Sequence, residues 1–331
     1  MSLPDQHMPG PLLQMESVEV RFWVRKGLLR TRPVSAVVDV SLTLARGEVL
    51  ALVGESGSGK TTLGRVSLGL LKPFRVRVLF DGQDLAVVPP RELRGLRRRA
   101  QAIFQDPFAT IDPYMTVRQT IEEPLLIHGL PQNERRRRVS EVLEQVRLVP
   151  PEEFGDRYPH RLSGGQRQRV AIARALTLQP EYVMADEPVS MVDASSRAEL
   201  LHLLRELRDR LGIAFLYITH DIATARHFAE RMAVMYLGCL VEAGPVSAVI
   251  DNPLHPYTRA LMAAVPEPDP RNHLRQRPVP RGEVPDVAHR PSGCAFHPRC
   301  QRHRRGLCEA ATPQPKEPEP GHIVSCHLLE Q

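Results

Sequence analysis

The chain has 331 residues, enough for about two structural units at ~150 residues each. Hydrophobic residues make up 42% and charged residues 25%, which excludes a disordered or fibrous chain. The net charge of +6 is modest and spread along the sequence; it fits a phosphate ligand, a nucleic acid or an anionic membrane face, and does not choose among them.

No apolar run approaches the ~18 residues needed to cross a bilayer. The N-terminal MSLPDQHMPG lacks the basic and apolar regions of a secretory signal. The expectation is a protein kept in the cytoplasm, with any membrane spans supplied by other subunits.

Residues 15–24 (MESVEVRFWV) alternate, with Val18, Val20, Phe22 and Val24 on one face, which predicts a strand. Val38, Val40, Leu42 and Leu44 alternate again, and a basic loop carrying Arg25, Lys26, Arg30 and Arg32 is expected between them. After a turn at Arg46-Gly47, VLALV (49–53) is continuously apolar, the pattern of a strand buried on both faces. Residues 90–170 read as helical, polar and rich in arginine. YVMA (182–185) and IAFLYI (213–218) are further buried-strand candidates. Between them, residues 195–211 make an amphipathic helix with Leu200, Leu203, Leu204, Leu207 and Leu211 on one face, ended by Gly212. Strands alternating with helices predict an α/β fold with a largely parallel sheet. There is no internal repeat, so one nucleotide domain is expected.

GESGSGKTT (54–62) matches G-x-x-x-x-G-K-[ST], with a buried strand before it and a helix pattern after it. Gly54, Gly57 and Gly59 let the backbone approach phosphate and turn its N–H groups inward. The helix N-terminus adds a dipole that favours an anion. Lys60 would reach the β- and γ-phosphates, and Thr61 would offer its hydroxyl to Mg²⁺. Glu55, Ser56, Ser58 and Thr62 complete the loop. YVMADE (182–187) delivers Asp186 to a strand end, where a carboxylate can hold Mg²⁺, with Glu187 next to it to polarise the attacking water. Alone this pair would read as an acidic strand cap; the phosphate loop gives it its chemistry. LSGGQ (Leu162, Ser163, Gly164, Gly165, Gln166) opens a second glycine-rich helix and hence a second anion site. One chain has little use for two phosphate cradles, so this one is expected to meet the γ-phosphate of an ATP held by another subunit.

The phosphate loop, LSGGQRQRVAIARAL, the ADEP step (185–188) and a His after a strand, in this order, resemble the ATP-binding subunit of ABC transporters. The resemblance implies a P-loop NTPase fold: an ABC-type nucleotide-binding domain over residues 14–265, an inserted helical subdomain at about 95–170, and an irregular Pro/Cys-rich C-terminal extension over 266–331. It also implies roles. Gln105 in FQDP resembles the glutamine that touches Mg²⁺ and the transmembrane partner. Asp193 resembles the aspartate crossing the dimer interface, and His220 in YITHD the histidine that contacts the γ-phosphate. Phe22 resembles the aromatic that stacks on adenine, with Trp23 as the competing candidate and a core aromatic as the plainer reading. Two departures stand out: SMVD (190–193) where the family usually has SALD, and KPFRVRVLFDG (72–82), which lacks a Thr/Ser-Gly turn. Neither removes a catalytic group.

Proline numbers 31, about twice the usual share, and twelve fall between Pro266 and Pro320. NPLHPYTRALMAAVPEPDP (252–270) and PSGCAFHPRC (291–300) resemble the C-terminal extension of the oligopeptide/dipeptide/nickel branch, and RMAVMYLGCLVEAG (231–244) resembles the second ATPase of its pair, the OppF/DppF type. This implies an importer for peptides: two transmembrane permease subunits, a second homologous ATPase as heterodimer partner, an external substrate-binding protein, and a peripheral position on the cytoplasmic face of the membrane. Cys294, Cys300, Cys308 and Cys326 crowd the last 40 residues without a tight C-x2-C pair, so a zinc ribbon is not indicated. Some relatives hold a [4Fe–4S] cluster on similar cysteines, and four thiolates is the right number. Mixed zinc ligation with His297, His322 or His327, and free thiols, stay open.

Arg97–Arg99 and Arg135–Arg138 suggest nucleic-acid patches, but Glu92, Glu134 and Glu141 lie close by and no aromatics interleave for base stacking. A solvated helix face is the expectation, and no nucleic-acid partner is expected. The rival function is a soluble ABC ATPase acting on nucleic acid or ribosomes; such chains carry two nucleotide domains or long insertions, and this sequence shows neither.

Overall fold

The computed structural model describes residues 10–26, 30–72, 74–265, 280 and 282–330. The elements in chain order are β1 (Leu13–Lys26), β2 (Arg30–Leu44), β3 (Val49–Val53), α1 (Lys60–Ser67), β4 (Arg75–Phe80), β5 (Gln83–Asp84), α2 (Pro90–Arg99), β6 (Ala100–Ile103), α3 (Pro107–Thr110), α4 (Val117–Ile127), α5 (Gln132–Gln145), α6 (Pro151–Gly155) and α7 (Gly164–Leu176). They continue with β7 (Tyr182–Asp186), α8 (Ala194–Leu211), β8 (Ala214–Thr219), α9 (Ile222–Phe228), β9 (Arg231–Tyr236), β10 (Cys239–Pro245), α10 (Val246–Asp251), α11 (Pro256–Ala264), β11 (Lys316–Glu319) and β12 (His322–Val324).

Two sheets carry the fold. One has the order β2-β1-β4-β5 and is antiparallel. The other has eight strands, β11-β12-β10-β9-β3-β8-β7-β6. Its centre is parallel: β3 pairs with β8 and β9, and β7 with β8 and β6. Every residue of β3, β7 and β8 is buried, as expected of strands covered on both faces. On one face, Leu50, Leu52, Met184, Leu216 and Ile218 pack against Val18, Val40 and Phe80 of the smaller sheet. On the other, Val49, Val53, Phe215 and Tyr217 meet Leu200, Leu203 and Leu207 of α8 and Val170 of α7. An ion-pair network ties the sheets at their rim: Arg99 and Arg46 each bridge Asp81 and Glu181.

Four expectations need correction. The basic loop between the first strands is not a loop at Arg25, Lys26, Arg30 and Arg32: β1 and β2 run on as a long hairpin, with Arg25 opposite Thr31 and Lys26 opposite Arg30. The apolar stripe of β1 is core only in part. Register shifts between Met15 and Arg21 break strict alternation; Val18 and Val20 are buried, whereas Phe22 and Val24 emerge at 41% and 47% exposure because the hairpin outruns the sheet beneath it. Residues 90–170 are not all helical, since Ala100–Ile103 is the edge strand parallel to β7. Finally, the extension is not wholly irregular: β12 pairs antiparallel with β10 and extends the main sheet. The expected boundary at residue 266, and 266–270 of the first tail motif, lie outside the described residues.

Candidate active site

β3 ends at the phosphate loop and α1 begins at its lysine. Gly59 caps α1 in the left-handed region (φ 100°), and a Cβ there would strike the Ala36 carbonyl, so only glycine fits. Lys60 is 6% exposed, and its Nζ donates to Gly54 O (2.7 Å) and Glu55 O (2.9 Å). Burial draws its pKa down, against the pull of Glu187, Asp186 and Glu55. Ser58 is buried, and its carbonyl accepts from Gly238 N; Ser56 and Gly57 face out, and Thr61 and Thr62 are half-buried.

β7 carries Asp186 to its C-terminal end at 5% exposure. Burial raises that carboxyl's pKa, opposed by a hydrogen bond from Thr61 and the charge of Lys60. A buried carboxylate beside a hydroxyl and an ammonium suits a Mg²⁺ that keeps its waters and shares substrate phosphates. Thr61, Asp186 and Gln105 would hold it, and the ion would neutralise charge on the transferring phosphoryl.

Glu187 follows with φ 46°, its N–H donating to Ile218 O at 2.8 Å. This backbone turn leaves the strand direction. The carboxylate then meets two groups from other strand ends: Gln105 Nε2 donates to Oε2 (3.0 Å), and His220 Nδ1 lies 2.9 Å from Oε1. Gln105 follows β6 and His220 follows β8, so three adjacent parallel strands deliver Gln105, Glu187 and His220 to one rim. Ligands of open α/β sheets gather at this carboxyl edge.

Ser163, Gly164, Gly165 and Gln166 form the N-terminus of α7. Ser163 and Gln166 make a reciprocal capping box, 3.2 and 3.0 Å. Leu162 is buried beneath it, and a Cβ on Gly165 would come within 3.2 Å of Ser196 Oγ on α8. Asp193 caps α8, accepting from Ser196 N and from both Ser195 and Ser196 hydroxyls, bonds that hold its carboxyl well below the usual range. Residues 163–166 therefore adjoin the Asp193 segment, which leads back to Glu187 through Ser190 Oγ, donating to Glu187 O (3.0 Å). Phe22 stands on β1 opposite Val34, and Trp23, at 68% exposure, opposite Pro33.

The tail cysteines lie near one another in the extension. Cys294 N donates to Cys308 O at 2.8 Å. Burial pushes the Cys294 thiol up to about 11, with Cys326, Cys308 and Cys300 adding to it; Cys300 and Cys326 are raised likewise. Among the described residues no three Cys, His, Asp or Glu side chains are arranged to hold a metal ion. The nearby histidines are engaged elsewhere, His322 with Glu242, His327 with Ala311 O and His297 with Cys294 O. Of the basic stretches, Arg99, Arg135, Arg137 and Arg138 are committed to ion pairs with acids of this chain.

Three residues at the site carry no local signal in the sequence. Tyr257 Oη accepts from Glu55 N at 2.9 Å, Arg299 Nη1 donates to a Glu55 carboxylate oxygen at 2.9 Å, and Tyr236 lies against both. The hint available was Arg299 itself, an arginine in a ten-residue motif (291–300) that holds no acid.

A glycine loop between a buried strand and a helix, faced by Asp-Glu at a neighbouring strand end, defines a P-loop ATPase. Comparison with known proteins narrows this. Residues 37–190 match the family model for the ABC transporter, and residues 241–308 that for the oligopeptide/dipeptide transporter, C-terminal region. The chain is 44% identical over 322 residues to the oligopeptide transport ATP-binding protein AppF of Bacillus subtilis (strain 168), across 96% of this chain and 97% of that protein. The dimeric structure of MJ0796, a bacterial ABC transporter cassette, is similar at TM-score 0.63 and 31% identity, over 71% of this chain and 98% of that one. A dimer of the same cassette in a post-hydrolysis state with ADP and Pi gives TM-score 0.62 at 30% identity, over 71% and 98%. The chain belongs to the ATP-binding proteins of ABC transporters, in the oligopeptide/dipeptide branch, and is an ABC ATPase using ATP and Mg²⁺.

Proposed function

We propose that this chain powers an ABC importer for peptides as its ATP-binding, ATP-hydrolysing subunit, with residues 14–265 as the ATPase domain, about 95–170 as its helical part and 266–331 as the extension. It works peripherally on the cytoplasmic face of the membrane, paired with a second, homologous ATPase on two permease subunits and supplied by an external substrate-binding protein. No helix among the described residues is long and apolar enough to cross a membrane.

The observation that carries the reading is the convergence on Glu187 of Gln105 and His220, beside the Lys60–Thr61–Asp186 group. Each nucleotide would lie between one subunit's residues 54–62 and its partner's residues 162–166, with Asp193 at the seam and Phe22 on the adenine. Glu187 would orient and deprotonate water, held in place by Gln105 and His220. Lys60, with the loop's N–H groups, would stabilise the charge on the transferring phosphoryl. Motion would reach a permease through the segment after Gln105, where Phe108 and Tyr114 are exposed.

The four tail cysteines are the finer part of the proposal. Their number favours a [4Fe–4S] cluster. Anaerobically purified protein with visible absorption and about four irons per chain supports the cluster, and colourless, iron-free protein removes it.

The importer is tested by affinity purification from native membranes in mild detergent with mass spectrometry of the co-purifying chains. Two permeases, a second ATPase and a binding protein are expected. Recovery of ribosomal or nucleic-acid-bound proteins alone would overturn the reading.

A further inference from the structure

Glu55 is the one acid in the phosphate loop 54–62. A carboxylate is out of place there, because the loop's task is to surround a polyanion with N–H dipoles and an ammonium. Its charge is felt at Lys60. Glu55 is gripped on three sides. Its carbonyl accepts from Lys60 Nζ (2.9 Å), its N–H donates to Tyr257 Oη (2.9 Å), and its carboxylate accepts from Arg299 Nη1 (2.9 Å). Two of these three partners come from the C-terminal part of the chain, Arg299 from 244 residues downstream.

Arg299 is itself fixed. It is 8% exposed, with Nη1 3.5 Å from Tyr236 Oη. Three residues before it, Phe296 packs edge-on to Tyr236 (5.2 Å between centroids) and against Tyr257 (5.4 Å), and all three rings are buried. The segment ahead of it touches two further elements around the loop. Arg290 donates to Cys239 Sγ on β10, and His289 Nε2 lies 3.2 Å from Arg32 Nη1 on the hairpin that carries Phe22. The extension thus passes behind the phosphate loop as a strap, with a guanidinium aimed at the loop's acid.

We propose that Arg299 is a positioning residue for ATP binding: by pairing with Glu55 it cancels the loop's negative charge and fixes the loop in the form that receives phosphate. It makes the C-terminal extension a working part of the nucleotide site, and ATP affinity a readout of whether the extension is docked. The proposal rests on the reading of residues 54–62 as the ATP loop.

The test is the dissociation constant of the full chain for ATP, measured by equilibrium titration with Mg²⁺, with thermal unfolding of each variant alongside. Arg299→Met keeps the apolar stem and removes the charge. It is expected to weaken ATP binding about tenfold. Arg299→Lys keeps the charge and is expected to restore most of the affinity. Glu55→Gln combined with Arg299→Met removes both charges and is expected to bind ATP more tightly than Arg299→Met alone, even where its unfolding temperature stays low. Wild-type affinity in Arg299→Met, or a double variant as weak as the single, overturns the proposal. Lys60→Ala separates the two readings: if it too binds ATP like the wild type, the loop assignment has failed, and the Arg299 proposal with it; if it loses ATP while Arg299→Met does not, only the Arg299 proposal has.

Discussion

Glu187 sits at φ 46°, where an L side chain crowds its own backbone, at a cost of order 1–2 kcal/mol. The turn is useful because it directs the carboxylate to Gln105 and His220 across the strand ends. Asp186 and Glu187 were legible as a pair from the apolar run before them, and Lys60 and Thr61 from the glycine spacing. The backbone turn was not legible, since nothing in ADEP marks a left-handed glutamate. Nor were the partners of Glu55, because Tyr257 and Arg299 approach it through tertiary packing alone. Under the proposed function His220, whose Nδ1 lies 2.9 Å from a Glu187 carboxylate oxygen, would hold Glu187 in place, and it lies outside the 54–62 loop. His220→Ala is therefore expected to lower the hydrolysis rate about tenfold, the worth of one orienting hydrogen bond, while the ATP dissociation constant changes little. Steady-state phosphate release with parallel nucleotide titration checks this split.

At the scale of elements, the phosphate loop depends on Gly59, whose φ of 100° starts α1 and whose missing Cβ lets the Ala36 carbonyl close on it. Gly59→Ala is expected to cost about 1–3 kcal/mol in urea unfolding and to abolish ATP binding, since both strain and clash fall on the cradle. β3, β7, β8 and α8 were legible to within about two residues, because continuous apolar runs and a leucine face are strong periodic signals. β6 was not: four residues, AQAI, hold too little pattern to stand out between helices, and only pairing with β7 makes them a strand. α11 carries a pH-sensitive start. His255 is wholly buried and held neutral, its pKa brought from the ordinary 6.5 down to about 3 by burial, and its Nδ1 accepts from Tyr257 N at 3.0 Å. Below 6.5 the unfolded chain binds a proton that the folded chain refuses until about 3, so stability falls as pH falls through that window. The urea midpoint is expected to drop between about pH 7 and about pH 4, and His255→Asn to flatten that drop.

At the scale of the whole molecule, the larger of the two sheets has a parallel centre whose antiparallel edge is extended by the C-terminal extension. β12 covers the edge of β10, and buried Glu242 on β10 accepts from Leu254 N, His255 N and His322 Nε2, joining β10, α11 and β12 around one carboxylate. The parallel α/β body was readable from the sequence. The two short strands in the tail were not, because prolines and cysteines mask strands of four and three residues that exist only by pairing. Phe296 packs against Tyr257 of α11 and Tyr236 of β9, and Phe296→Ala is expected to cost about 3–5 kcal/mol in urea unfolding. The similar cassette MJ0796 is dimeric in its solved structure, and under the proposed function hydrolysis would need both halves: the Glu187 side of one subunit and the Ser163–Gln166 side of the other. The most direct test is phosphate release by the assembled ATPase at saturating ATP, wild type against Glu187→Gln, with bound ATP measured in the same samples. Glu187→Gln is expected to keep its ATP and to lose about 10²–10⁴ in rate. A variant that releases phosphate at the wild-type rate would contradict the proposed role of Glu187.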